Sequence, residues 1–298
     1  MTMKKLLVIA MVVVLALSAT IAVSAAPAVE GRKTITAYQA KITIDGTIDE
    51  AWQYAQEVDV DTVKENASSY FGDTSKVKGV DYADVKVRVL WDGDNVIYFL
   101  YIIKDNCISV VETAQPWEID GAEIFLQKDN STDPSGARIQ GRVVSVPGNS
   151  NTYGVNEYAY GEGENGELII EIKYNFASTI DVSNGNYIGI DFQYNDDAEG
   201  NGVRHACLGW SDSIDKASSD CTVYGQCELS TTSTDDLKAE EEAKKAAEEA
   251  AKKAAEEAEK KAEEEAKKAE DAPETGDLLV TALAAVAVAG FAVIRKKK

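Results

Sequence analysis

The chain has 298 residues and a formal net charge of −21, with 51 acidic side chains against 30 Lys and Arg. A surface this negative repels phosphate backbones, so we expect no binding to nucleic acid. The methionines are Met1, Met3 and Met11, and His205 is the only histidine. This composition excludes a His-rich zinc site and any Ser-His-Asp triad that does not use His205. It favours a binding protein over an enzyme.

Residues 1–25 have the pattern of a secretory signal peptide. Two lysines precede an apolar run over 6–22, and small residues at 23–25 offer a cleavage site. The alternative is an uncleaved anchor helix, because the apolar run is close to the shortest length that spans a bilayer. Small residues at the expected offset favour cleavage, and we therefore expect an exported protein.

Residues 33–230 predict one all-β domain. They contain short blocks rich in Val, Ile and Tyr, bounded by Gly, Asn or Asp, with a helical turn at 49–56. Many short strands without intervening helices indicate an antiparallel β-sandwich of jelly-roll or immunoglobulin-like type. Hairpin turns are expected at 91–96 and 161–166. The predicted strands are 41–45, 85–91, 96–103, 122–127, 139–146, 167–173, 187–194, 204–210 and 222–229.

Four cysteines could form disulfides in an exported protein, or could remain free thiols in the core. They are Cys107, Cys207, Cys221 and Cys227. Cys221 and Cys227 fall in one predicted strand at a separation of roughly 20 Å, which is too far to bridge. Any disulfide would therefore join different strands, with Cys107–Cys207 as one candidate, and free thiols remain the alternative.

Four tryptophans carry much of the functional signal. Trp52 and Trp91 adjoin turns or strand ends and are expected in the core. Trp117 lies in a polar loop between strands, and Trp210 ends its strand beside an acidic residue. An indole face next to amides and carboxylates suits a sugar, because the ring C–H groups stack on the indole while the hydroxyls form hydrogen bonds.

Successive sequence blocks resemble the family 9 carbohydrate-binding modules, and the resemblance covers nearly all of 36–229. The first block, Ile-Thr-Ile-Asp-Gly-Thr-Ile-Asp-Glu-Ala-Trp at 42–52, is a fairly specific signature of the superfamily. Each later block is a weak match by itself, and the order of the blocks strengthens the resemblance. They are Val-Arg-Val-Leu-Trp-Asp at 87–92, Ile-Tyr-Phe-Leu at 97–100, Trp-Glu-Ile-Asp-Gly-Ala-Glu-Ile-Phe-Leu at 117–126, Gln-Gly-Arg at 140–142 and Gly-Trp-Ser-Asp at 209–212.

The resemblance implies a β-sandwich that holds the terminal sugar of a plant-type glycan, such as a cellulose or xylan oligosaccharide, between two tryptophans. Trp117 and Trp210 would be the two walls of this slot. Glu123 and Arg142, together with Gln140, would bind the ring hydroxyls, and the planar guanidinium suits paired oxygens. Alternatively, Glu123 is simply the solvent-facing member of an alternating strand.

The resemblance also implies a structural calcium ion, whose ligands the spacing does not identify. Asp45, Asp49 and Glu50 are interpreted as fold or metal residues rather than catalysts, since loop carboxylates suit Ca²⁺. The block around Arg142 is loosely matched, and Arg138 is a possible substitute for it.

Residues 231–271 predict a charged helical spacer. The segment is mostly Ala, Glu and Lys, which are strong helix formers, and Glu repeatedly precedes Lys by four residues. Beyond Leu237 its apolar residues are alanines, so a coiled-coil seam is missing and we expect a monomer. The prediction is a semi-rigid rod of about 50 Å. A partner-binding helix is the alternative, disfavoured because an apolar stripe is lacking.

The last segment, 272–298, resembles the cell-wall sorting signal of Gram-positive surface proteins. It begins with Ala-Pro-Glu-Thr-Gly, continues with an apolar run over 278–294 and ends with basic residues. Ala272 replaces the leucine of the usual Leu-Pro-x-Thr-Gly, which leaves open which sortase acts. The resemblance implies cleavage between Thr275 and Gly276 and linkage to peptidoglycan. An ordinary membrane anchor is the alternative, and either one places the domain outside the cell.

The predicted function is non-catalytic carbohydrate binding at the cell surface, with glycoside hydrolases as candidate partners. A surface adhesin or structural sandwich that binds a protein is the main alternative, because a fold alone does not fix function. A glycoside hydrolase with two carboxylates is less favoured, since nothing in the sequence matches a hydrolase motif. Haem binding is weakest, because only His205 would remain as an axial ligand after removal of the signal peptide.

Overall fold

The computed structural model describes residues 28–64, 81–109, 111, 114–149, 151–177, 180, 182 and 186–270. The predicted signal peptide and sorting signal therefore lie outside the described residues. The described part of the chain divides into two compact units, one ending at Ala243 and the other beginning at Lys244. Among the described helices, none has the length and apolar character needed to cross a membrane.

Strands account for most of the regular structure between residues 28 and 233. Two short 3₁₀ turns lie at Glu50–Tyr54 and Cys221–Val223, and one long helix, α1, covers Thr234–Glu270. The strands are β1 (Thr34–Gln39), β2 (Glu57–Asp59), β3 (Thr62–Val63), β4 (Asp84–Trp91), β5 (Val96–Lys104), β6 (Gly121–Gln127), β7 (Ile139–Val144), β8 (Glu157–Glu162), β9 (Leu168–Asn175), β10 (Tyr187–Asp196), β11 (Ala206–Gly209) and β12 (Gly225–Ser233).

The strands form a sandwich-like fold of two layers. One layer has the order β7-β6-β10-β11-β3, and the other has the order β12-β1-β4-β5-β9-β8, with β2 paired to β4. β12 also pairs with the first half of β10 and so links the layers. The expectation of a purely antiparallel sandwich was wrong at one strand, because β1 runs parallel to both β12 and β4.

The core lies between the layers, and alternation along the strands decides which side chains enter it. Phe99 and Tyr101 of β5 face the opposite layer, where their rings lie 6.2 and 6.5 Å from that of Phe192 on β10. The alternate residue Leu100 packs on the outer face with Trp52, in a second apolar cluster. Because both faces of β5 are buried, this strand is a continuous apolar run in the sequence.

A third apolar cluster covers the outer face of β6. Phe125 projects from that face and packs with Ala217, Cys221 and Tyr224 from the segment before β12. The Tyr224 hydroxyl donates to the carbonyl of Ala217 at 2.8 Å. This packing fixes the loop over residues 211–224 beside the β6–β7 face.

The predicted strand 41–45 was wrong. This segment lies over the outer face of β9, where the backbone N–H groups of Asp45 and Gly46 donate to the buried Glu171 carboxylate at 3.1 and 2.9 Å. The Glu171 side chain thus accepts backbone hydrogen bonds that a neighbouring strand would accept in a β-sheet. The sequence analysis also missed β1, β2, β3 and β8, whereas the helical turn and both hairpin turns were confirmed.

All four cysteines are free thiols, as the alternative to disulfides anticipated. The assignment of Cys221 and Cys227 to one strand was wrong. Cys221 lies in the 3₁₀ turn before β12, and Cys227 is a buried residue of that strand. The core positions predicted for Trp52 and Trp91 were confirmed, since both are at most 1% exposed.

Helix α1 begins immediately after β12 with reciprocal hydrogen bonds at its N-terminus. The Asp236 backbone N–H donates to Ser233 Oγ, and the Ser233 backbone N–H donates to the Asp236 carboxylate, both at 3.1 Å. Such a capping box satisfies two backbone donors that a helix start would otherwise leave unpaired. An ion pair of 2.9 Å joins Lys253 to Glu249 one turn away. The helix is thus present as predicted, while its role as a spacer stays a prediction.

Candidate functional site

The polar side chains predicted to bind a ligand lie together on the outer face of β6 and β7. Along β6, Ala122, Ile124 and Leu126 enter the core, which leaves Glu123 on the opposite face. In the antiparallel register Glu123 pairs with Arg142 of β7, while Gln140 lies two residues before Arg142 on the same face. Strand alternation and register therefore bring these three predicted residues together.

The Glu123 carboxylate is the centre of a buried hydrogen-bond network. Its Oε1 accepts bonds from Arg142 Nε at 2.8 Å, from Arg142 Nη2 and from Asn195 Nδ2 at 2.6 Å. Its Oε2 accepts from Gln140 Nε2 at 2.6 Å. Although it points away from the core, Glu123 is only 1% exposed, so it is not a solvent-facing residue. The carboxylate holds Arg142 and Gln140 in fixed positions.

The network continues across β10 to the neighbouring loop. Arg204 Nη1 and Gln193 Nε2 both donate to the side-chain oxygen of Asn195, each at 3.1 Å. Arg204 also forms an ion pair with Asp215 at 3.5 Å. Arg142 and Arg204 are thus each paired with a carboxylate.

A cavity of about 540 Å³ lies over this network. Trp117 contributes an exposed aromatic wall, with 46% of the residue accessible to solvent. The size and the mixture of aromatic and polar side chains fit a small-molecule binding site. The cavity is lined by Pro116, Trp117, Glu123, Phe125, Gln140, Arg142, Tyr153, Gln193, Arg204, Asp215 and Ser218.

Trp117 is presented by a short turn whose end is anchored below the surface. The Glu118 backbone N–H donates to the carbonyl of Gln115 at 2.9 Å, which closes the turn around Trp117. The next residues, Ile119 and Asp120, are at most 1% exposed. The indole is therefore held at the surface by a buried anchor directly before β6.

Trp210 does not form the second wall that the sequence analysis expected. It is 4% exposed and belongs to the core, where its ring lies 5.2 Å from that of Phe192. A Cβ on Gly225 would lie 2.3 Å from the Trp210 ring, so the indole fills the space beside β12. Trp210 directly follows its strand, and its ring points into the core. The sequence pattern does not distinguish an inward from an outward ring at such a position.

Tyr153 is an aromatic lining residue that the sequence analysis missed. Its ring lies 5.4 Å from the Arg142 guanidinium, and its backbone forms an isolated bridge with that residue. Burial, followed by the charge of Glu123, raises the pKa of Tyr153, so its phenol remains a donor at neutral pH. No motif marks this position, because the contact depends on the path of the chain between β7 and β8.

Six further lining residues were missed, and Asn195 completes the network beneath them. Gln193 and Asn195 belong to a strand whose alternation was visible, so their outward face could have been inferred. Phe125 could have been inferred in the same way from β6. The remaining four lie in irregular segments and carry no periodic signal: Pro116, Arg204, Asp215 and Ser218.

The other residues considered from the sequence lie outside this cavity. Arg138 donates to the carbonyl of Pro134 at 2.8 Å and does not replace Arg142. Asp45 and Asp49 accept backbone N–H groups within their own turn, at 2.8 and 3.2 Å. Glu50 pairs with Lys238 at 2.7 Å. These contacts fit the interpretation of all three acids as fold residues.

A group of acidic side chains lies next to the Trp117 turn. Asp105, Asp120 and Asp196 each offer a carboxylate oxygen, and these oxygens lie within 4.8 Å of one another. Burial raises the pKa of Asp120 and of Asp196 to about 7. Within the described residues, the buried Oδ1 of Asp196 has no hydrogen-bond partner. Carboxylate oxygens with an unpaired acceptor among them are the kind of ligand that Ca²⁺ prefers in proteins.

A buried lysine supports the cavity from the side of β3. Lys64 Nζ donates to Gln193 Oε1 at 2.6 Å and to Asp212 Oδ2 at 3.0 Å. Asp212 in turn accepts the backbone N–H groups of Lys216 and Ala217 at 2.7 and 2.8 Å. Burial raises the pKa of Asp212, but Lys64 and the backbone N–H groups of Ile214 and Ala217 outweigh this effect, and the net pKa is lowered. Asp212 therefore orders the loop that carries Asp215 and Ser218.

Together, the sandwich and its polar face with an exposed indole define a small-molecule binding domain. The model of the carbohydrate family 9 binding domain-like family matches residues 44–232, which is more than half of the chain. The chain belongs to this family. Family 9 modules bind without catalysis, so the domain is not an enzyme, as predicted.

Curated relatives include bacterial xylanases. Endo-1,4-beta-xylanase A of Thermotoga neapolitana is 29% identical over 212 residues, which cover 67% of this chain and 18% of that enzyme. Endo-1,4-beta-xylanase C of Paenibacillus barcinonensis is 28% identical over 196 residues, or 61% of this chain and 16% of the enzyme. The chain thus spans less than a fifth of the length of these relatives.

Solved structures of a family 9 carbohydrate-binding module from Caldicellulosiruptor kristjanssonii share the fold. Its complex with glucose has a TM-score of 0.52 at 19% identity, covering 67% of this chain and 97% of that one. Its complex with cellotriose has a TM-score of 0.50 at 20% identity, with coverages of 67% and 95%.

Proposed function

We propose that the domain binds the terminal sugar of a plant-type glycan, such as a cellulose or xylan oligosaccharide, in the cavity beside Trp117. The observation that carries this proposal is the exposed indole above the buried Glu123–Arg142–Gln140 network. A pyranose ring has an apolar face for the indole and hydroxyls for the network. Arg142 uses Nε and Nη2 for Glu123, and its third nitrogen can donate to a ligand.

The charges of the cavity support a neutral ligand. Arg142 pairs with Glu123 and Arg204 pairs with Asp215, so each cation has a carboxylate within 3.5 Å. A charged ligand would have to displace one of these partners and leave a buried charge unpaired, which is costly. A neutral polyol needs only hydrogen bonds from groups that are already fixed in place.

The names of the relatives also support a sugar as the ligand. A family 9 module of the same fold has been solved with glucose and with cellotriose, and the curated relatives act as endo-1,4-beta-xylanases. We infer from them that a β-1,4-linked glucan or xylan is the class of ligand. Glycoside hydrolases acting on the same polysaccharide are the candidate partners of the domain.

We further propose that calcium binds to Asp105, Asp120 and Asp196. The ion would neutralise three neighbouring carboxylates, of which Asp120 and Asp196 are buried, and the unpaired Oδ1 of Asp196 would become one of its ligands. Asp120 belongs to the buried anchor of the Trp117 turn and accepts the backbone N–H of Ser109 at 2.6 Å. Calcium would therefore hold in place the turn that presents the indole.

We propose that the domain is displayed on the surface of a Gram-positive cell. The support is the order of sequence signals: a secretory signal at 1–25, the charged helix, and a sorting signal at 272–298. Under this proposal a sortase joins Thr275 to the peptidoglycan. Helix α1 would then act as the spacer between the wall and the sandwich.

Calorimetric titration of the purified chain with glucose, cellobiose, xylobiose and their borohydride-reduced forms tests the sugar proposal. We expect dissociation constants in the micromolar to millimolar range, or about −8 to −4 kcal/mol. Trp117→Ala should abolish measurable binding, whereas Ile48→Ala, which removes an exposed side chain outside the cavity, should not. Loss of binding on reduction would show that the reducing end is bound. Binding unchanged by Trp117→Ala, or no heat with any sugar in a folded sample, would contradict the proposal.

A further inference from the structure

A second cavity adjoins the one beside Trp117. It has a volume of about 560 Å³ and shares Tyr153 with the first cavity as a lining residue. Its other lining residues come from the segment that connects β7 to β8 and from the start of β8. They are Gly148, Asn149, Thr152, Val155, Asn156, Glu157 and Tyr158.

The position of Tyr153 between the cavities is fixed by its backbone. Its N–H and carbonyl exchange hydrogen bonds with Arg142 at 3.0 and 2.8 Å. The following residue, Gly154, has a φ of 70°, and a Cβ there would lie 2.2 Å from the Gln140 carbonyl oxygen. Only glycine allows this close approach. Tyr153 is thus locked against the edge of β7 with its side chain 44% exposed.

Tyr158 supplies an aromatic surface on the far side of Tyr153. It lies two residues before Tyr160 on the same face of β8, and the two rings make an edge contact at 5.7 Å. The Tyr160 hydroxyl donates to the Val144 carbonyl at 2.6 Å and closes the edge of the sandwich there. Tyr158 is the next ring outward and is 36% exposed.

The exposed aromatic residues of the domain are concentrated in these two cavities. Among the residues that the structure describes, the large hydrophobic side chains at least 36% exposed include three aromatics, Trp117, Tyr153 and Tyr158. Each of them lines one or both cavities. The second cavity is also lined by neutral hydrogen-bonding side chains such as those of Thr152 and Asn156. A row of rings with polar groups beside it suits consecutive pyranose units.

We propose that the cavity lined by Tyr153 and Tyr158 is a second saccharide subsite, which binds the units of a glycan chain next to the one held beside Trp117. This inference rests on the proposed sugar binding. It adds a preference for chains over single sugars, because a monosaccharide reaches one cavity while an oligosaccharide extends past Tyr153 into the other. Tyr158 is then a residue that determines preference for chain length.

Titration of the purified chain with glucose, cellobiose, cellotriose and cellotetraose tests this subsite. Affinity should rise with chain length in the unaltered protein. Tyr158→Ala should weaken binding of the longest ligand about fivefold to tenfold and should change glucose binding less than about twofold. Tyr158→Phe keeps the ring and should retain the gain with length, which separates stacking from loss of the hydroxyl. Ile48→Ala is the control for removal of an exposed apolar side chain outside both cavities.

The outcomes distinguish the two proposals. Equal affinity for all chain lengths, or equal weakening of every ligand by Tyr158→Ala, would overturn the second subsite while leaving sugar binding beside Trp117 intact. Absence of binding to any of the four sugars would overturn both. A thermal melt of Tyr158→Ala that matches the unaltered protein shows that the effect is on the ligand and not on the β8 edge.

Discussion

At the scale of single residues, Trp117 and Trp210 occupy opposite environments. Trp117 is 46% exposed on a surface turn, and Trp210 is 4% exposed beside Phe192. Both were expected to be walls of one sugar slot, and both lie at strand boundaries where the sequence gives no direction for the ring. The structure places Trp117 in the wall of the cavity and Trp210 in the core.

The first prediction follows from this contrast. Trp210→Ala should lower the free energy of unfolding by about 3–5 kcal/mol, because a buried indole leaves a cavity that its neighbours fill only in part. Trp117→Ala should lower it by less than about 1 kcal/mol, since an exposed side chain gains little on folding. Urea denaturation of the two variants measures both values. Similar losses in the two variants would contradict the assignment.

The second prediction concerns Asp191, which is fully buried below the 211–224 loop. Burial raises its pKa to about 6, against the opposing effect of Lys64 and of the N–H groups of Ser211 and Asp212. The folded state therefore holds a proton that the unfolded chain has released between about pH 4 and pH 6. The contribution of this group to stability is present below pH 4 and is lost as the pH rises through about 6.

Asp191→Asn should remove that pH dependence. Relative to the variant, the unaltered protein should lose stability on the order of 2 kcal/mol between pH 4 and pH 7. The amide substitution shifts stability by a constant amount, so the informative quantity is the slope with pH. Urea denaturation at several pH values provides it. Identical slopes for the two proteins would show that Asp191 does not titrate in this range.

At the scale of elements, the strands that contribute alternate residues to the core were the easiest to predict. β4, β5, β6 and β10 were found within a few residues of their bounds. β5 is a continuous apolar run because both of its faces are buried, whereas the other three show buried apolar residues at alternate positions. β8 was missed because it is an edge strand with exposed tyrosines and a glycine, and its sequence lacks a regular pattern of buried apolar residues. The 41–45 segment was misassigned, since its hydrogen bonds to Glu171 come from distant sequence and leave no local signal.

The residues of the candidate site also differ in how readily the sequence reveals them. Glu123, Arg142 and Gln140 alternate on paired strands, and the family blocks marked them. Tyr153 and Asp215 lie in connections whose path depends on the whole fold, so the sequence alone did not reveal them. The turn carrying Trp117 was recognised as a polar loop, but its anchoring by Asp120 required the structure.

The third prediction concerns the acidic cluster that supports the Trp117 turn. Calcium should raise the midpoint of thermal unfolding by about 5 °C over the chelated protein, because the ion binds a site that the unfolded chain lacks. Asp196→Asn should remove most of this difference, and Mg²⁺ should not replace calcium, since it requires a smaller octahedral site. Calorimetric melts with calcium, magnesium and a chelator provide the comparison. An unchanged midpoint after chelation would exclude a structural calcium here.

At the scale of the whole molecule, the net charge of −21 creates a strongly negative field around a cavity whose own charges are paired. Such a field keeps the protein soluble and repels other polyanions. It has little effect on a neutral sugar. The net charge therefore disfavours polyanionic ligands but not neutral sugars, a distinction that the fold alone does not make.

The fourth prediction uses this difference. The affinity for cellotriose should change less than about twofold between low and high salt, because screening acts on charged partners and not on a neutral polyol. A protein partner held by surface charge would instead lose affinity steeply as salt is added. Titration at several ionic strengths provides the test. Strong salt dependence of the main ligand would favour the adhesin alternative over sugar binding.

The most direct test of sugar binding beside Trp117 is the quenching of tryptophan fluorescence by acrylamide with and without cellobiose. Of the four tryptophans, Trp52, Trp91 and Trp210 are at most 4% exposed, so the accessible emission comes from Trp117. We predict that saturating cellobiose removes most of the quenchable fraction, and that Trp117→Phe has little quenchable emission with or without the sugar. A quenchable fraction that cellobiose leaves unchanged would contradict a sugar bound against this indole.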